Sequence, residues 1–205
     1  MPPKGERKTR DRLIEVAMEL FYQQGFHATG LAQILKQAGV NSGSLYHFFD
    51  SKEELLLAVL DRYREILRPV LLQPIFDQVA DPVERIFALL GVYRQGLVMT
   101  DCAAGCPIGN LALELREFHP KAHQKIAENF EDWRQAVREC LDEAADRLPE
   151  RVDREALATL ILAAMEGGVM QSRAYRAIDP FDASVAMLRD YIDRLLAEGA
   201  GRRRE

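Results

Sequence analysis

Among 205 residues there is a single tryptophan, and there are only three cysteines, Cys102, Cys106 and Cys140. That is too little sulfur for a disulfide framework and fits a reducing compartment. No apolar run approaches the length needed to span a bilayer and the first residues are polar, so the expectation is a cytoplasmic protein with neither a membrane helix nor a secretion signal. Strand-like alternation is almost absent, and there is no internal repeat. The chain lacks a phosphate-binding glycine loop, a G-x-S-x-G and a recognisable pair of catalytic carboxylates, which removes the usual frames for catalysis. His119 and His123 could share a helical face, with Glu117 or Cys106 as further metal ligands. Pro120 instead marks a helix start and makes His119 a residue of its cap region; no metal and no cofactor is expected.

What is present is charge of uneven distribution and helical periodicity throughout. The chain carries a net charge of -5, yet residues 1–52 hold seven Lys or Arg against five Asp or Glu, leaving twenty against twenty-seven for the rest. Lys4, Arg7, Lys8, Arg10 and Arg12 precede or flank the first core residue, and Pro2, Pro3 and Gly5 predict that they form a loose basic arm. The basic end is the one suited to DNA.

A first helix is carried by Leu13, Val16, Ala17, Leu20 and Phe21 and ended by Gly25, with Phe26 as its apolar follower. The Thr29 hydroxyl can cap a second helix that turns Ile34, Leu35 and Ala38 inward until Gly39 permits a left-handed exit and Val40 fills the corner. Asn41 can cap a third, short helix from about Ser42 to Phe48, anchored by Leu45 and Phe49 on one face. Ser42, Gly43, Ser44, Tyr46 and His47 then point elsewhere. Glycine admits another backbone, and hydroxyl, phenol and imidazole groups can bind phosphate oxygens or read base edges, as a recognition helix does. Ser51 and Glu54 form a capping box for a further helix whose first turn carries Lys52, a combination suited to holding phosphate.

Over roughly residues 8–60 this order of turn glycine, Gly43, Leu45-Tyr46, Phe49 and Ser51-Lys52-Glu53 resembles the TetR family of transcriptional regulators. By that resemblance Thr29, Ser44, Tyr46, His47 and Lys52 occupy positions that touch DNA. Ser42 stands where many relatives carry lysine and Phe48 where many carry histidine, which shifts weight onto the amino-terminal arm. The expected architecture is all-α. A three-helix helix-turn-helix domain with its arm takes 1–52, a larger helical effector-binding and dimerisation domain takes 53–198, and a disordered tail takes 199–205.

In that larger domain the helix starting at Ser51 runs toward Arg68, where Pro69 and Pro74 break it. Further helices are expected at about 82–99, 106–117, 120–147, 154–174 and 180–198, with Asp81-Pro82 and Asp179-Pro180 as starts. Apolar and small residues cover more than a narrow stripe in Ala156, Leu157, Leu160, Ile161, Ala164, Met165, Gly168 and Val169. The final helix sets Val185, Leu188, Ile192, Leu195 and Leu196 on one side with Ala183, Met187 and Tyr191 beside it. Two such helices against their copies would make a four-helix interface, and the homodimer would set two readers on a palindromic operator.

Effector candidates are Tyr93, Cys106, Ile108, Leu111, Phe130, Trp133, Met165, Glu166 and Met170, since pockets between helices are apolar with a few polar anchors. The stretch from Cys102 to Leu115 resembles a TetR branch that includes regulators answering to reactive electrophiles or small unsaturated acids. Cys106, near a helix start, is the candidate sensor thiol, with Cys102 able to resolve it once oxidised; the plain alternative is a buried packing residue. Cys140, mid-helix, is expected to be inert. The function expected is a ligand-responsive, sequence-specific regulator, a repressor released by a small molecule; thiol sensing through Cys106 and, more remotely, cysteine-dependent acyl transfer are the alternatives.

Overall fold

The computed structural model describes residues 4–115 and 119–202, with side chains from Lys8 to Gly201. In chain order the helices are α1 (Lys4–Gln24), α2 (Leu31–Ala38), α3 (Ser42–Tyr46), α4 (Lys52–Ile66), a π-helical turn (Leu67–Leu72), α5 (Gln73–Gln78), α6 (Pro82–Met99), α7 (Pro107–Glu114), α8 (Pro120–Glu143), a 3₁₀ turn (Ala145–Arg147), α9 (Arg154–Tyr175) and α10 (Asp179–Arg202). No strand occurs among the described residues, and the fold is all-α as expected. Two compact units form: one takes the chain to Ile66 together with Pro107–Asn129, and the other takes Leu67–Cys106 with the chain from Phe130.

In the first unit α1 packs on α2, α3, α4 and α7. Leu13, Ala17, Leu20 and Phe21 are its buried stripe, answered by Ile34 and Ala38 of α2, Leu45 of α3 and Leu55, Leu56 and Val59 of α4. The spacing of three and four residues is what brings each set onto one helical face. The start of α8 is tied to α4 by the ion pairs Arg64–Glu128 and Lys125–Asp61, and by the Asn129 amide donating to the Leu60 carbonyl at 3.1 Å.

The second unit buries a main core and a smaller cluster of Leu72, Leu89, Trp133 and Ala136. Val83, Ile86, Leu90 and Leu97 of α6 meet Val137, Cys140 and Leu141 of α8, Leu157, Ile161, Met165 and Val169 of α9, and Phe181, Leu188, Ile192 and Leu195 of α10. Asp81 caps α6 as expected, its carboxylate accepting from the Val83 and Glu84 N–H groups at 2.8 and 3.2 Å ahead of Pro82. Asp153 does the same for α9 through the Glu155 and Ala156 N–H groups.

Three expectations about element ends are corrected. Pro69 does not break the helix after Arg68: it is absorbed in the π-helical turn, whose wider register accommodates a residue that lacks an N–H, and Pro74 sits in the first turn of α5 where no N–H is needed. Asp179 is not the cap of α10; the Phe181 N–H is taken by the Ser172 hydroxyl of α9 at 3.1 Å and by the Ile178 carbonyl at 3.0 Å. The stretch from residue 199 is not a loose tail as far as it is described, because α10 runs to Arg202, and 203–205 lie outside the described residues. Gly199 is buried there, and a Cβ at that position would fall inside the Arg147 carbonyl. Only glycine permits that approach of helix to turn. Gly199→Ala should therefore lower stability by about 1–3 kcal/mol through overpacking, read as a lower thermal midpoint by calorimetry, whereas Gly201→Ala, in open space, should not.

Candidate nucleic-acid interface

A five-residue helix has no stability of its own in water. Around α3 the turn supplies what propensity cannot. Gly39 leaves α2 in the left-handed region at φ 64°. The Asn41 side-chain oxygen then accepts from the Ser44 N–H at 2.9 Å and the Ser44 hydroxyl at 3.1 Å. Leu45 and Phe49 are buried, and the N–H groups of Phe48 and Phe49 both reach the Leu45 carbonyl at 2.9 Å, ending the helix at Tyr46 rather than Phe48. On the other side Tyr46 is 57% exposed. Ser42, Gly43 and His47 are exposed beside it and Ser44 is half-buried. The His47 ring stands edge-on to Phe48 at 4.7 Å.

Two of the residues expected to touch DNA are placed differently. Thr29 is fully buried, and its hydroxyl donates to the Gly25 carbonyl at 2.6 Å, closing the end of α1; the cap of α2 is Gly30, without a side-chain bond. The Lys52 ammonium turns inward, donating to the Phe26 and Thr29 carbonyls at 2.7 and 2.8 Å and lying 4.2 Å from the Phe26 ring centroid. Burial holds its pKa below the usual lysine value, against the opposing pull of Glu53 and Glu114. The basic arm is also corrected. Lys8, Arg10 and Arg12 are on α1, with the Arg10 guanidinium 5.4 Å from the Phe49 ring centroid, while the side chains of Lys4 and Arg7 lie outside the described residues.

One residue that holds this surface escapes sequence reasoning. The carboxylate of Glu114, at the end of α7, accepts from the Phe26 N–H at 2.9 Å and the His27 N–H at 2.6 Å, and it packs against Gly25, which turns at φ 90°. The turn between α1 and α2 is thus held by Lys52 through its carbonyls and by Glu114 through its N–H groups. The available signal is the one charged residue in the run Ile108-Gly-Asn-Leu-Ala-Leu-Glu-Leu.

Within the second unit, part of the expected effector set comes together. The Tyr93 ring stands edge-on to Trp133 at 5.3 Å, its hydroxyl is 3.9 Å from the Cys106 sulfur, and the Cys106 thiol in turn hydrogen-bonds the Glu166 carboxyl. Burial pushes the Glu166 carboxyl above the usual range, with the thiol pulling the other way. Met165 is in the core. Met170 is corrected: it is 53% exposed on the outer side of α9. Ile108 and Leu111 are buried in the first unit, and Phe130 is half-buried where the second unit resumes. Cys106 is buried, and Cys102 is packed in the main core rather than presented for thiol exchange. Burial raises the Cys140 thiol to about 11, which makes it unreactive. Among the described residues no group of three His, Cys, Asp or Glu is placed to hold a metal, and Glu117 lies outside them. No helix in the described chain is long and apolar enough to cross a membrane.

A capped, glycine-turned reader helix on a three-helix support defines a helix-turn-helix DNA-binding protein. Residues 13–59 match the bacterial regulatory proteins of the tetR family, and residues 82–187 match the transcriptional regulator LmrA/YxaF-like C-terminal domain. The HTH-type transcriptional regulator YxaF of Bacillus subtilis is 34% identical over 165 residues, 80% of this chain and 84% of its own. The HTH-type transcriptional repressor DhaR of a Mycobacterium species is 26% identical over 84% of this chain and 86% of its own. The crystal structure of a TetR transcriptional regulator from Chloroflexus aurantiacus superposes with a TM-score of 0.79 at 29% identity, covering 93% of this chain and 97% of that one. The chain belongs to the TetR family of transcriptional regulators, which bind operator DNA and dimerise. Its members are not enzymes, which removes acyl transfer at Cys106.

Replacing Glu114 by Gln removes the charge and leaves one acceptor for two backbone N–H groups, that of Phe26 part-buried and that of His27 exposed. The substitution should cost about 1–3 kcal/mol of stability, measured by urea unfolding, and should weaken operator binding in a mobility-shift assay without any DNA contact having been removed.

Proposed function

We propose that this regulator is a repressor that binds a palindromic operator as a homodimer in the cytoplasm and is released when a small molecule enters its second unit. The observation that carries the DNA-reading part is the two-sidedness of α3: Leu45 is buried while Ser42, Gly43, Tyr46 and His47 face solvent. Nothing among the described residues requires glycine at position 43, since a Cβ there would meet only the Asn41 side chain, at 3.4 Å. Its smallness is explained by the approach of a backbone from outside, and a phosphodiester is the backbone a reader meets. Ser44, half-buried beside them, supplies a further hydroxyl; Thr29 and Lys52 act from behind.

Dimerisation through α9 and α10 is supported by what their intrachain packing leaves uncovered. Leu160 and Met170 of α9 and Met187 and Tyr191 of α10 are exposed large apolar residues, on helices whose other faces fill the core. A surface of that kind marks an interface. A dimer sets two readers about one helical turn of DNA apart, so an effector lowers affinity to the extent that it favours a different spacing. The similarity to DhaR, a transcriptional repressor, supports repression over activation. A second reading rests on Cys106, whose sulfur lies beside Tyr93 just ahead of α7: an electrophile captured there would act as the effector.

Tyr46→Ala should weaken operator binding by about 1–3 kcal/mol at fixed salt with the dimer intact by sedimentation; dissociation into monomers instead would make Tyr46 a packing residue. Met187→Arg should do the reverse, giving monomers first and loss of operator binding as their consequence. Cys106→Ser should leave operator binding by the free protein unchanged, while abolishing release by electrophiles if the thiol is the sensor.

A further inference from the structure

The Glu166 carboxyl stands out in the second unit as a polar group placed at a cost. One of its oxygens, Oε1, is shut off from solvent and has no hydrogen-bond partner among the described residues, while the carboxyl's partner is the Cys106 thiol, a weak donor. Among the described residues no cation offsets the burial of this acid. An enclosed carboxyl oxygen without a donor is expensive, and such groups are retained where something else uses them. The surroundings are specific: Cys106 joins Glu166 to the Tyr93 hydroxyl, the Tyr93 ring stands on Trp133, and the neighbouring Met165 is buried. Aromatic faces grouped with one acid in apolar surroundings attract an ammonium group through both the ring quadrupoles and the carboxylate.

We infer that the effector of this protein is an apolar molecule bearing a basic amine, whose ammonium N–H donates to Glu166 Oε1 while its apolar body lies against Tyr93 and Trp133. This rests on the reading of the second unit as an effector site and adds the ligand's chemical class. It also accounts for an acid on the inward side of α9, which lies between two otherwise apolar stretches. A carboxylate ligand would meet like charge at the same point, and a neutral alcohol would supply a donor without a counter-charge.

Because Trp133 is the chain's only tryptophan, its fluorescence reports on this site in the whole dimer. The probes are phenethylamine, phenethyl alcohol and phenylacetate, matched in their apolar part and differing in charge. The amine should bind about tenfold or more tightly than either of the others, and Glu166→Gln, which keeps the shape and removes the charge, should erase that preference. Glu166→Met, a second variant, should raise the thermal midpoint by removing the unpaired oxygen and should lose the same preference, so that a variant that folds poorly does not decide the matter. Equal binding of the three probes, preference for phenylacetate, absence of binding by all three, or an amine preference that survives Glu166→Gln overturns the proposal. Binding of the amine through Glu166 with the operator complex left intact upholds this site and defeats the effector reading; release of the operator by phenylacetate and not by the amine does the opposite.

Discussion

The reading surface depends on a constraint of length: five residues of helix cannot stay folded on their own hydrogen bonds, so α3 has to be held by what surrounds it. Leu45 and Phe49 provide the apolar anchor, and Asn41 supplies the missing acceptor at the amino end. The support beneath is less obvious. The turn joining α1 to α2 contains carbonyls and N–H groups that helix bonding leaves over, and these are answered from opposite signs of charge, by the Lys52 ammonium and the Glu114 carboxylate. Thr29 closes the same turn from within. Charges bound to backbone groups are stronger than neutral hydrogen bonds and more directional than apolar packing. The exposed face of α3 can therefore be given over to Ser42, Gly43, Tyr46 and His47, none of which anchors the fold.

Much of this was legible in the order of residues, for identifiable reasons. Helices α6, α8 and α9 announce themselves by three- and four-residue periodicity with an aspartate or proline at the start, so their bounds come out within a few residues. The reader helix follows from turn glycine, Asn41 and the Leu45 and Phe49 pair. What resisted was anything decided by a partner distant in sequence. Thr29 looks like a helix cap because capping is its commonest local use, yet the nearer vacant carbonyl is that of Gly25 behind it. Lys52 looks like a phosphate ligand because it opens a helix, and only the fold shows two carbonyls within its reach. Gly199 looks like the start of a tail because glycine usually ends a helix, whereas here it lets a helix lie against the Arg147 carbonyl. In the second unit Tyr93, Trp133, Cys106 and Glu166 could be chosen by type, but Met170 could not be separated from them without knowing which side of α9 faces the core.

The two units solve their polar problems differently. The first satisfies an irregular turn with full charges from two helices. The second starts its helices with side-chain carboxylates, Asp81 and Asp153, and Asp81 is also bound by Arg147. Its interior then admits one acid, Glu166, on the strength of a single thiol. A methionine or leucine there would leave no carboxyl oxygen unpaired, so Glu166 is a residue that packing alone does not explain.

All three sulfhydryl groups are enclosed, Cys106 with only 3% of its surface in contact with solvent. Thiol chemistry at an exposed cysteine runs at a pace fixed by the reagent and the fraction ionised. At an enclosed one the rate is further multiplied by the fraction of time the site stands open, so every reagent is slowed and the bulkier ones, which need a wider opening, are slowed most.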